Sequence, residues 1–158
     1  MSNWTRADYV AFTIHGAPRT KKTSTQLVHI GKFHKLLPSK QHKAWFKLAM
    51  EQAPRILREL AAQGATLPLV GLVEVSAVFY RDRNTGDLLG YEQSLADWLQ
   101  APRHKPKRNG AGIIRDDAQI DSWDGSRRAK DAANPRIEVT IRALGPGQAE
   151  LFEADDDE

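Results

Sequence analysis

The sequence predicts an α+β domain (mixed α/β), a mixed β-sheet with two main helices packed on it. Three observations carry this. Val70 to Tyr80 is rich in β-branched and aromatic residues, with a period-two pattern at Val73, Val75 and Ala77. Two long stretches, from Ser39 and from Asp87, repeat apolar residues at helical spacing. Arg136 to Arg142 alternates apolar and polar residues and reads as a half-buried last strand.

In chain order, Val10–Ile14 is the first expected strand, ended by His15-Gly16-Ala17-Pro18. Residues 19–24 hold no sizeable apolar side chain and read as a basic loop. Gln26–Ile30 is a short strand turning at Gly31. Ser39 then caps a helix in which Trp45, Leu48, Ala49, Ile56, Leu57 and Leu60 recur near helical spacing. Pro54 lacks an N–H and is expected to kink or split that helix, and Gly64 ends it. After the Val70–Tyr80 strand, Asn84-Thr85-Gly86 is a turn. The Asp87 helix follows with Leu88, Tyr91, Leu95, Trp98 and Leu99 on one face, closed by Pro102. Residues 103–112 read as a mobile basic loop and Gln119–Trp123 as a short strand. The order is strand, helix, strand, helix, strand, strand, a pattern of helices packed on a sheet. Residues 7–144 form the expected domain. Residues 145–158 form an acidic tail with too little apolar content to fold alone.

No apolar run approaches the roughly 20 residues of a membrane helix, so no membrane partner is expected. The first residues lack the apolar core of a signal peptide, and cytoplasmic residence is the expectation. The absence of Cys excludes disulfides and thiolate metal sites. The net charge of +3 conceals a division. The tail carries six acids (Glu150, Glu153, Asp155, Asp156, Asp157, Glu158) and no base, leaving 23 basic and 14 acidic residues in the body. A body of net +9 points to an anionic partner, nucleic acid before membrane.

Against that basic background, carboxylates at two separate points stand out: Asp87 at a helix start and Asp116-Asp117 before a strand. Mg²⁺ takes oxygen ligands, keeps several waters and needs only one or two carboxylates beside a phosphate oxygen. A plain structural reading stands beside this. Asp is among the best helix caps, and an Asp pair suits a solvated turn. Gly90 inside the second helix costs about 1 kcal/mol relative to Ala, which suggests close approach of another backbone, a phosphodiester or a partner subunit. Basic residues fall in clusters, from which Arg19, Lys21, Lys22, Lys40, Lys105, Lys107, Arg108 and Arg127 are the candidate DNA contacts. The five His show no metal-ligand spacing, and no serine elbow or phosphate-binding Gly/Lys loop is present.

At these residues the chain resembles the RusA family of Holliday junction resolvases, in a phage-type version. The match runs from Phe12 to Ile141. It rests on Phe12 to Lys22, on the Asp87-led helix to Asp97-Trp98-Leu99, on Asp116-Asp117-Ala118-Gln119, on Ser122 to Arg127, and on Pro135-Arg136-Ile137-Glu138-Val139-Thr140-Ile141. The resemblance implies a homodimer that binds four-way DNA junctions and cleaves phosphodiesters with Mg²⁺, in recombination and repair. Asp87 matches the first catalytic aspartate and Asp117 the one in the Asp-Asp motif, with Asp116 adjacent. Asp87 and Asp117 are thus the expected metal ligands. Two positions depart from the family pattern. Leu89 stands where an aspartate is usual and Gln93 where a lysine is usual. Two alternatives follow: a junction-binding protein that has lost turnover, and a protein-interaction module that uses the acidic tail.

Overall fold

A computed structural model describes residues 9–21, 26–31, 33–37, 39–105 and 107–144. The candidate Lys22 and the tail 145–158 lie outside the described residues. The architecture is mixed α+β, as the sequence predicts. Strand β1 (Tyr9–His15) leads to a separate hairpin, β2 (Gln26–Ile30) and β3 (Phe33–Leu37), then to helix α1 (Lys40–Ala62). Strand β4 (Val73–Arg81) and helix α2 (Leu88–Leu99) follow. A two-stranded hairpin, β5 (Arg103–His104) and β6 (Lys107–Arg108), precedes a 3-10 turn (Asp117–Gln119), β7 (Ile120–Ser122), β8 (Arg127–Lys130) and β9 (Arg136–Ala143).

The main sheet runs β1-β9-β4, with β7 and β8 on the outer side of β4. β9 is antiparallel to both neighbours. β7 and β8 run parallel to β4, beside Val73–Glu74 and Val78–Arg81 respectively. They behave as one edge strand interrupted by the turn Trp123–Ser126, where Ser126 Oγ accepts from Ala77 N at 3.1 Å. β8 reads Arg-Arg-Ala-Lys, and charge on an outer strand discourages pairing with another chain.

Alternation sets one face of the sheet inward. Val10, Phe12, Ile14, Val73, Val75, Ala77, Phe79, Ile137, Val139 and Ile141 are buried on it. Trp45, Ala49, Ala53, Ile56 and Leu60 from α1, and Tyr91, Leu95, Trp98 and Leu99 from α2, join them in one core. α1 also covers the free edge of β1. Gln52 exchanges two hydrogen bonds with the His15 backbone (2.8 and 2.7 Å), and Gln63 does the same with Ala11 (3.0 and 2.8 Å). Arg55 donates to Thr13 O at 3.1 Å between them. Three side chains thus replace a missing strand, which satisfies groups that would otherwise need water or another sheet.

Two sequence expectations are corrected. α1 continues unbroken through Pro54. One missing N–H removes a single hydrogen bond, while the buried stripe from Trp45 to Leu60 holds both halves against the sheet. In place of a loop, the β5–β6 pair leads into residues 109–112, which dock on the end of α2 and satisfy its last carbonyls. Ala111 N donates to Trp98 O, Gly112 N to Gln100 O, and Ile113 and Ile114 N to Leu99 O, at 2.7–3.1 Å. Gly110 permits this approach, since a Cβ there would lie 1.9 Å from Gln100 O. No helix among the described residues is long and apolar enough to cross a membrane.

Candidate functional site

Gln119 builds the site. It is fully buried, and its amide makes four hydrogen bonds. Nε2 donates to Leu69 O and Gly71 O, both at 2.9 Å, and Oε1 accepts from Arg115 N (2.7 Å) and Asp116 N (3.2 Å). Asp116 caps the 3-10 turn by accepting from Ala118 N at 2.9 Å, and with Gln119 completes a capping box. With Gln119 held inside, Asp117 is left exposed at the protein surface.

The two adjacent carboxylates differ in character. The Ala118 N–H, then the side-chain hydrogen bond with Asp117, and then the Arg103 and Arg108 guanidinium groups hold Asp116 below the ordinary carboxylate range. Its other oxygen pairs with Arg103 at 2.7 Å. Although Asp117 is exposed as a residue, its carboxyl is pushed up, first by partial desolvation, then by its side-chain hydrogen bond with Asp116, and then by the like charges of Asp116 and Asp97. Asp116 therefore keeps its charge while it caps the turn, and Asp117 is the carboxyl whose charge is disfavoured, a cost that a nearby cation would relieve.

Asp97, on the last turns of α2, is the third acid. Its carboxylate pairs with the Lys21 ammonium. That contact belongs to a seam between α2 and the segment Pro18–Lys21. Ser94 Oγ donates to Arg19 O at 2.9 Å and lies 3.3 Å from His42 Nδ1. Burial of His42 lowers its pKa, and nearby Lys21 adds to this. Thr20 packs on Gly90, where a Cβ would meet its Cγ2 at 2.9 Å and Asp87 Oδ1 at 2.4 Å. Gly90 is thus required by a segment of the same chain. Gly90, Ser94 and Asp97 follow i, i+4, i+7 spacing, a small and polar stripe on which the basic loop lies.

The two expected metal ligands are not brought together. Asp87 is the N-cap of α2, accepting from Gly90 N at 3.0 Å. Asp97 lies ten residues further on, a rise of about 15 Å. The Asp116-Asp117 turn follows the segment bonded to α2's C-terminal carbonyls, so Asp87 and Asp117 lie toward opposite ends of that helix. The Leu89 side chain, at 75% exposure, points to solvent. Among the described residues no three acidic or imidazole groups converge to hold a metal ion. What remains is a two-carboxylate platform, Asp116 and Asp117, which suits Mg²⁺ because that ion keeps waters and takes phosphate oxygens. Asp87, toward the other end of α2, does not fit as a ligand shared with Asp117.

The basic candidates divide. Lys40, Lys105, Lys107 and Arg127 are exposed. Arg19 instead makes a bidentate pair with Asp82 at 2.8 and 3.0 Å, which anchors its loop to the end of β4. Arg108 is spent on Gln100, Ala101 O (3.0 Å) and Arg115 O (3.3 Å) and stiffens the hairpin. Lys21 is paired with Asp97, beside the acids. Sequence reasoning missed Asp97 as a site residue because it followed only the apolar stripe of α2. The Gly90-Ser94-Asp97 stripe was the signal that could have found it.

No family model matches this chain, and no curated protein matches it.

Proposed function

We propose that this chain is a RusA-like, Mg²⁺-dependent endodeoxyribonuclease of branched DNA, four-way junctions above all, working as a homodimer. The observation that carries the reading is the grouping of three acids with bases: Asp117 beside Asp116 and near Asp97, its carboxyl pushed up by desolvation and then by these two acids, with Arg103 paired to Asp116, Lys21 paired to Asp97 and Arg108 near both Asp116 and Asp117. A carboxyl whose charge is disfavoured, set among acids and bases, suits a cation and a phosphodiester together.

Asp117, with Asp116 beside it, would hold the ion. Bound Mg²⁺ would supply an activated water and charge stabilisation for an in-line displacement at phosphorus. This chain's own residues do the rest. Gln119 and the capping box fix the direction of the Asp pair. Asp97 holds the Lys21 ammonium beside the acids, where it would meet a phosphate oxygen. Lys105 and Lys107 would grip the phosphate backbone by charge, without reading bases.

A second reading has one observation of its own. Leu89, where the resemblance implies an aspartate, is exposed and cannot ligate a metal ion, which favours a junction-binding protein without turnover. The two are separated by incubating a synthetic four-way junction with the protein, with and without Mg²⁺. Symmetric cutting that requires Mg²⁺ supports the nuclease. Junction binding without cutting supports the second reading, and neither binding nor cutting overturns both.

A further inference from the structure

Helix α1 carries two rows of side chains beside each other. His42, Phe46 and Met50 stand four residues apart, and Lys43 and Lys47 form the adjoining row at the same spacing. Side chains four apart lie one above the other on a helix, about 6 Å along its axis. An aromatic and apolar row and a basic row therefore climb α1 together. With Asn109, which follows β6, they line an open cavity of about 380 Å³.

The ring in this cavity is held in place. Trp45, buried in the core, meets Phe46 at 74°, with ring centroids 6.3 Å apart. His42, also buried, packs on both, at 5.9 Å from Trp45 and 6.2 Å from Phe46. Phe46 itself is half-buried. Lys43 and Lys47 are exposed and pair with no acid among the described residues. Asn109 Oδ1 accepts from Gly110 N at 3.0 Å, which leaves the amide NH2 as a donor. The cavity borders the candidate site twice. His42 Nδ1 lies 3.3 Å from Ser94 Oγ, about one turn of α2 before Asp97. Asn109 follows Arg108, which donates to Arg115 O beside Asp116.

We propose that this cavity takes an unpaired base of a DNA strand, stacked on Phe46 and Met50, with its flanking phosphates on Lys43 and Lys47 and its polar edge on Asn109. A nucleotide has an apolar face, a hydrogen-bonding edge and an anionic backbone, and the lining offers a counterpart to each. A paired duplex covers the faces of its bases and has no use for the ring. The proposal rests on the branched-DNA reading and names where a strand leaving the Asp pair would run.

Cross-linking in near-ultraviolet light tests it. The probe is a thymidine oligonucleotide of about eight residues carrying one 5-iodouracil, mixed with the full chain at low salt. Peptide mass spectrometry should place the adduct on Phe46 or Met50. Phe46→Leu stays apolar but loses the stacking face. It should weaken oligonucleotide binding roughly fivefold or more and leave binding of a blunt duplex unchanged. Lys43→Gln together with Lys47→Gln should flatten the log–log salt slope for the oligonucleotide by about 0.7 per phosphate released. An adduct elsewhere, or equal oligonucleotide affinity in wild type and Phe46→Leu, would overturn the proposal. So would a failure to bind the oligonucleotide at all, which would leave an acidic peptide as the better occupant. Mg²⁺-dependent cutting of a four-way junction, measured beside this, separates the two readings. A cut junction with the adduct elsewhere sinks the cavity alone, and an adduct on Phe46 without cutting sinks the nuclease alone.

Discussion

At Asp117, stability and function should pull apart. Its folded pKa lies above the unfolded one, so the native state binds the proton more tightly. Stability from this group therefore falls as pH rises through the window above the unfolded value of about 3.9. Asp117→Asn removes the repulsion. It should raise the melting temperature at pH 7 by a degree or so, with the gain shrinking to nothing as the pH falls below the window, while Mg²⁺-dependent cutting is lost. Melting curves across pH 3 to 8 check this, and a variant less stable than wild type at pH 7 would show the carboxylate to be structural. Gly90→Ala gives the opposite lesson. Alanine gains about 1 kcal/mol of helix propensity. Its Cβ would sit 2.4 Å from Asp87 Oδ1 and 2.9 Å from Thr20 Cγ2, so the cap or the basic loop must move. The overpacking cost of about 1–3 kcal/mol should win. Urea unfolding measures the sign, and a stabilised Gly90→Ala would mean that Thr20 does not pack there.

At the scale of elements, legibility followed periodicity. β1, β4, β9 and the two helices were readable because their apolar spacing is also their burial pattern. β3 and β8 escaped notice: Phe33–Leu37 and Arg127–Lys130 carry no period-two signal, and β8 is defined by its neighbour rather than by its own residues. The Asp116-Asp117 pair was legible as a candidate, but its partner was not. Asp87 and Asp97 are both acids on one helix, and only the packing of residues 111–114 on α2's C-terminus decides which of them lies near Asp117. Gln119 reads as an ordinary polar residue, yet it joins the 3-10 turn to Leu69 and Gly71 and so positions the Asp pair. Gln119→Leu would leave several buried backbone groups unpaired. A loss of about 2–4 kcal/mol in chemical denaturation is expected. A loss below 0.5 kcal/mol would mean that this anchor is not what holds the turn.

At the scale of the whole molecule, charge is divided between a basic body and an acidic tail. If the exposed lysines meet DNA phosphates, affinity for a four-way junction should fall with salt, the log–log slope steepening by about 0.9 for each phosphate neutralised. Replacing Lys105 and Lys107 by Ala should flatten the slope by up to about two such steps, and an unchanged slope would move the DNA face away from the hairpin. The sheet and helices that carry these groups stand independently of what the groups bind. The central claim concerns Asp117, and cleavage of a four-way junction in Mg²⁺ by wild type, Asp87→Asn and Asp117→Asn, with binding measured in parallel without metal, tests it most directly. The account predicts that Asp117→Asn binds the junction but does not cut it, whereas Asp87→Asn, whose amide oxygen still caps α2, cuts at close to the wild-type rate. Full cutting by Asp117→Asn, or its loss in Asp87→Asn alone, would contradict the account.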